Sequence, residues 1–118
     1  MAMSHLYKVI KVIKVVDGDT VDAEVDTGFY HKCTQRFRLF GIDTPERGEE
    51  GYKEATERLK ELLDTDELYV HSKKTGSFGR WLGTFYTYDE KIRGEEGTGM
   101  VNINKAMEDE GFAKKYQK

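Results

Sequence analysis

The chain has 118 residues, 37% of them hydrophobic and 35% charged, with a formal net charge of −3. That length builds one domain, residues 1–118, around a single core, and the charge density describes a heavily solvated surface. The lone Cys33 excludes an internal disulfide, and no apolar run approaches the roughly 18 residues of a membrane-spanning helix.

Residues 6–16 (LYKVIKVIKVV) are rich in β-branched residues, with lysines at 8, 11 and 14. Strict alternation fails there, so the segment predicts a long, twisted or bulged strand. Its three-residue repeat reads as a coincidence of Lys and Val usage. Asp17-Gly18 is a hairpin turn signal. From Thr20 onward Val21, Ala23 and Val25 alternate with Asp22, Glu24 and Asp26, the pattern of a half-buried strand. Thr27-Gly28 turns the chain, and residues 33–41 predict a third strand, with Phe37 and Leu39 inward and Arg36 and Arg38 on the opposite face. Cys33 reads as a small half-buried strand residue.

Residues 50–64 predict a helix, because Ala55, Leu59, Leu62 and Leu63 fall at helical spacing. Its charges read as a solvated face. Residues 67–73 and 80–88 predict two more strands, the aromatics of the second (Trp81, Phe85, Tyr86, Tyr88) being barrel core. Gly94, Gly97 and Gly99 mark a connection, after which residues 100–103 predict a short strand and 104–110 a helix ended by Gly111. The order suits an α+β, mainly β domain, a five-stranded OB-type barrel with two helices.

Charge argues against a stable nucleic-acid binder, since 22 acidic residues face 19 basic ones. The excess is local, however. Residues 46–67 hold nine acidic and four basic residues, leaving a mildly basic remainder. Binding of a polyanion should be weak and salt-sensitive, which suits an enzyme that releases its product.

Three segments carry chemistry: Asp17-Gly18-Asp19-Thr20, RLFGIDTPE from Arg38 to Glu46, and Phe78-Gly79-Arg80. Singly they read as a hairpin turn, a strand ended by proline, and a surface arginine beside a turn glycine. Together they supply what phosphodiester hydrolysis needs. Asp19 and Asp43, at adjacent strand ends, are natural ligands for a hard divalent cation. Arg38, on a strand otherwise feeding the core, needs an acidic or phosphate partner. Glu46 follows the proline turn, where a general base reaches a cation's bound water. Arg80 offers a second guanidinium fork to the phosphate. His5, His31 and His71 lack ligand spacing, and neither a Cys/His zinc cluster nor a glycine-rich phosphate loop is present.

The segments VVDGDTV (15–21), FRLFGIDTPE (37–46), FGR (78–80) and the stretch from Val101 through Ala113 resemble the staphylococcal nuclease, or thermonuclease-like, family. The match runs in order over nearly the whole chain. The resemblance implies an OB-fold barrel and a calcium-dependent phosphodiesterase acting on DNA and RNA, leaving 3′-phosphate and 5′-hydroxyl ends. By position it implies Asp19, Asp43 and the Thr44 carbonyl as calcium ligands. Arg38 and Arg80 would bind the phosphate, and Glu46 would position or deprotonate the water.

Against the family pattern, the loop between Glu46 and the first helix is short, and Ser77-Phe78 stands where Lys-Tyr is usual. The chain stops before the family's final helix and most of its base-stacking tyrosines, leaving Tyr116 as a partial replacement. A monomer with a DNA or RNA substrate and no membrane partner is expected. The first five residues show no signal peptide. That leaves a cytoplasmic or virus-encoded enzyme, or the mature domain of a secreted nuclease. The competing class is a non-catalytic OB module binding nucleic acid or protein, which has no need of Asp19, Arg38, Asp43, Glu46 and Arg80 together.

Overall fold

The computed structural model describes residues 6–73, 81–88 and 100–116. Strand β1 (Leu6–Asp17) pairs antiparallel with β2 (Thr20–Gly28), and the pairing gives the Lys-Val-Ile repeat a structural meaning. Val9, Val12 and Val15 stand opposite Val25, Ala23 and Val21, so β1 advances three residues for every two on β2. The extra residues fall at Ile10, Ile13 and Val16, one bulge in each repeat. The repeat is therefore not a coincidence: a period of three on one strand against two on its neighbour forces strong coiling. It also turns Lys11 and Lys14 toward Glu24 and Asp22 across the ladder, and leaves Ile10 and Ile13 nearly half exposed.

The second hairpin joins β2 to β3 (His31–Leu39). Its turn lies one step beyond the expected Thr27-Gly28. Gly28 closes the ladder against His31, and Phe29 and Tyr30 form the two-residue tip. Both tip residues have positive φ, +55° and +65°. For side chains of this size that conformation costs on the order of 1 kcal/mol each. The Asp26 carboxylate accepts the Gly28 N–H at 2.8 Å, and the Thr27 hydroxyl donates to the His31 carbonyl at 3.1 Å, fastening the base of the turn.

β3 stops two residues earlier than expected. Gly41, at φ +82°, breaks the strand, and a two-residue β4 (Ile42–Asp43) follows. Helix α1 (Tyr52–Leu63) precedes β5 (Leu68–Lys73), which pairs with β1 and with β6 (Trp81–Tyr88). A parallel pairing of β6 with β3, Phe37 opposite Trp81 and Arg38 opposite Leu82, closes the five-stranded barrel. β7 (Met100–Asn102) adds to the outer edge of β6, and α2 (Ile103–Asp109) follows at once, its N-terminus capped by the Asn102 side chain. Gly111, at φ +86°, ends it as expected. A last strand, β8 (Lys114–Lys115), pairs with β4. The architecture is the OB-type barrel with two helices.

The core joins Val21, Ala23, Val25, Phe37 and Leu39 to Val70 and Phe85, with Leu59 of α1 and Met107 of α2 against them. Phe37 and Phe85 meet edge to face at 5.7 Å. Of the four aromatics assigned to the core on β6, only Phe85 is fully buried, whereas Trp81 and Tyr88 are more than a third exposed. Alternation along β6 puts Tyr86 and Tyr88 on the face opposite Phe85, and on the inward side the barrel crosses tightly at Gly83, where an added Cβ would come within 2.9 Å of Val70 and 3.1 Å of Phe37. Asn104, 4% exposed, organises the same crossing. Its Nδ2 donates to the carbonyls of Phe40 and Gly83, both at 3.0 Å, and its Oδ1 accepts the Phe85 N–H at 3.1 Å.

Candidate active site

The first hairpin and the end of β3 meet where Thr20 stands opposite Arg38 and the Leu39 N–H donates to the Asp19 carbonyl at 2.8 Å. The register puts the start of β2 beside the end of β3, so Asp19 and Arg38 come together through backbone pairing alone. Within the turn, Asp17 Oδ1 accepts the Asp19 N–H at 3.2 Å, a local Asx arrangement. Gly18 is required for space. A Cβ there would lie 2.8 Å from Thr44 Oγ1 and 3.0 Å from the Ala55 Cβ. The turn is thus pressed against both the post-β4 segment and α1.

Asp19 is buried, and its carboxylate accepts from the Thr20 hydroxyl and the Thr44 N–H, each at 3.2 Å. Arg38 lies across it. Nη1 donates to the carbonyls of Leu39 (3.1 Å) and Ile42 (3.0 Å), which bridges the break between β3 and β4. Nη2 lies 3.2 Å from Asp43 Oδ1 and 3.5 Å from Asp19 Oδ2. The two aspartates, 24 residues apart in the chain, therefore converge on a single nitrogen. Asp43 remains half exposed, so this side of the cluster opens to solvent.

Two neighbours flank the cluster. Lys114 of β8 is the register partner of Asp43, and the Tyr116 N–H donates to the Gly41 carbonyl at 2.9 Å. The Tyr116 ring then lies 5.0 Å from the Arg38 guanidinium carbon, a cation–π contact. The sequence signal for Tyr116 pointed to base stacking, and its observed partner is Arg38. Lys114 had no signal, since a two-residue strand carries no periodicity. Beside the cluster opens a cleft of about 480 Å³ lined by Asp43, Thr44, Glu46, Glu49, Phe112 and Lys114.

Glu46 stands on that lip, exposed, its backbone N–H donating to Glu49 Oε1 at 2.7 Å. Arg80 lies outside the described residues, as do Ser77, Phe78 and Gly79. Burial and the adjacent Asp19 carboxylate raise the pKa of Asp17 above its ordinary value. Thr44 Oγ1 is buried and, among the described residues, has no hydrogen-bond partner.

The donor set fits a hard cation. Two carboxylates come together on a side open to solvent, oxygen donors of the kind such an ion takes. No cluster of three or more His, Cys, Asp or Glu ligands occurs among the described residues, so a cation here would draw part of its shell from water.

Comparison with known proteins fits this geometry. A family model described as staphylococcal nuclease homologue matches residues 36–118. The chain belongs to that family. It is 36% identical over 107 residues to a micrococcal nuclease of Shigella flexneri, covering 91% of this chain and 58% of that protein. It is 32% identical to protein ParB of Escherichia coli, with 91% and 56% covered. It is also 30% identical to an uncharacterized endonuclease of Escherichia coli O157:H7, with 91% and 60% covered. The chain thus spans a little over half the length of these relatives.

Proposed function

We propose that this domain is a calcium-dependent nuclease that hydrolyses phosphodiesters of DNA or RNA, opening the P–O5′ bond to leave a 3′-phosphate and a 5′-hydroxyl. The observation that carries the reading is the convergence of Asp19 and Asp43 on Arg38 beside an open cleft. Asp19, Asp43 and the Thr44 carbonyl would hold the cation. The chemistry it supplies when bound is positive charge against the attacked phosphate and a more acidic water.

Arg38 is anchored through Nη1 to two backbone carbonyls, so its Nη2 edge keeps a fixed direction. With Asp19 and Asp43 turned to a cation, that edge would be free for a phosphate oxygen, where its charge would offset what builds up on the phosphorane. Tyr116 covers the guanidinium from one side and limits its swing. Glu46, on a solvated turn at the cleft, takes the proton of the attacking water. Arg80 supplies a second fork to the same phosphate. The test is incubation of plasmid and single-stranded DNA with calcium and with chelator, followed by end-group analysis. The reading requires calcium-dependent cutting to 3′-phosphate ends. Cutting of equal rate in chelator, or 5′-phosphate ends, contradicts it.

A further inference from the structure

The tip of the second hairpin is built from the wrong residues for its shape. A two-residue turn with positive φ at both positions is ordinarily made by Asn-Gly or a similar pair. Here Phe29 and Tyr30 occupy it, and packing does not repay the strain, since Phe29 is 94% exposed and Tyr30 fully exposed. Strain that folding does not need is a mark of function.

What covers the rings follows from their surroundings. They stand on the same ribbon as the active-site cluster, at its opposite end. Eight residue steps separate Thr20 from Gly28, on the order of 27 Å at about 3.4 Å per residue. His31 and Lys32 follow directly, both exposed. Between tip and cluster the outer face carries both signs of charge and offers phosphates only a broken track. Asp22, Glu24 and Asp26 line it with Lys14, Lys11 and Lys32 as their register partners, and Arg36 is committed to Asp22 by bonds of 2.7 and 3.0 Å. The net charge of −3 likewise limits phosphate contacts. Affinity for a polynucleotide then gains from contacts that do not depend on charge, and base–aromatic stacking is such a contact. The rings share their ribbon with the proposed phosphate site, which favours a polynucleotide over a bilayer surface.

We propose that Phe29 and Tyr30 form a distal contact for single-stranded polynucleotide, each ring stacking on an unpaired base while the phosphate site works at the ribbon's other end. This rests on the nuclease reading for its substrate class.

The test replaces the tip by the pair its backbone prefers, Phe29→Asn with Tyr30→Gly. The variant should melt at the same temperature as the parent or higher. In chelator, anisotropy with a labelled 20-nucleotide single strand should show affinity lowered at least roughly fivefold, the effect of one lost stack. The slope of log affinity against log salt should stay as in the parent, because no phosphate contact is removed. The exchange Phe29→Tyr with Tyr30→Phe keeps two rings and should keep the affinity. Unchanged binding by the Asn-Gly variant overturns the proposal, as does a loss confined to low salt. Parent-only co-sedimentation with phosphatidylcholine–phosphatidylglycerol vesicles, with oligonucleotide binding equal in both proteins, assigns the tip to a membrane and also overturns it. A parent that cuts DNA with calcium while the variant binds as well as it does removes this inference and leaves the nuclease reading standing. A parent that neither cuts nor binds removes both.

Discussion

The two ends of the β2–β3 ribbon resolve opposite problems. At one end Asp19 is buried, and its charge is matched by the Thr44 N–H, the Thr20 hydroxyl and Arg38. At the other end two aromatic rings stand in water on a strained turn. A buried carboxylate and an exposed aromatic pair both run against the ordinary partition of residues. The buried one is compensated within the molecule, and the exposed one is not. The first feature therefore couples stability to chemistry, whereas the second is free to change without harm to the fold.

Substitutions test that difference. The largest effect is expected at the rim of the site end. Glu46→Gln should lower single-turnover cleavage by about 10²–10⁴-fold, the range of a lost general base, with melting unchanged because the residue is exposed. Next comes the framework behind the site. Asn104→Leu removes three buried hydrogen bonds to the backbone at the β6 crossing. It should cost about 2–3 kcal/mol in denaturant titration.

A smaller effect belongs to Asp17, whose pKa is raised by burial and by the Asp19 carboxylate. A carboxyl with a folded pKa above its unfolded one costs stability at pH values above both, and the cost vanishes below both. In chelator, Asp17→Asn should therefore raise the melting temperature at pH 7, and the gain should fade as pH falls toward 3. A gain that is constant with pH would assign the effect to packing. The smallest change is Thr44→Val, which removes a buried hydroxyl without a partner among the described residues and keeps the backbone carbonyl. Stability should hold or rise by up to about 1 kcal/mol in the same titration.

Much of this was legible in the sequence. The alternation of Val21, Ala23 and Val25 fixed the inward face of β2, and with it the register that sets Thr20 beside Arg38. The three-residue repeat of β1 reads as coincidence on one strand alone. A bulge shows only when both strands of the ladder are counted together. Phe29 and Tyr30 give no turn signal, since turn chemistry points to glycine and Gly28 stands next to them. The β4–β8 clamp, with Lys114 beside Asp43 and Tyr116 on Arg38, joins residues more than 70 positions apart through strands of two residues. Such short pairings are set by tertiary contact, and no local pattern announces them.

Calorimetric titration of calcium tests most directly the proposal that Asp19 and Asp43 share one cation. The parent should bind in a one-to-one step, and Asp19→Asn and Asp43→Asn should each weaken that step by roughly tenfold or more, as loss of a charged oxygen ligand requires. Binding by either variant with the parent's affinity would contradict it.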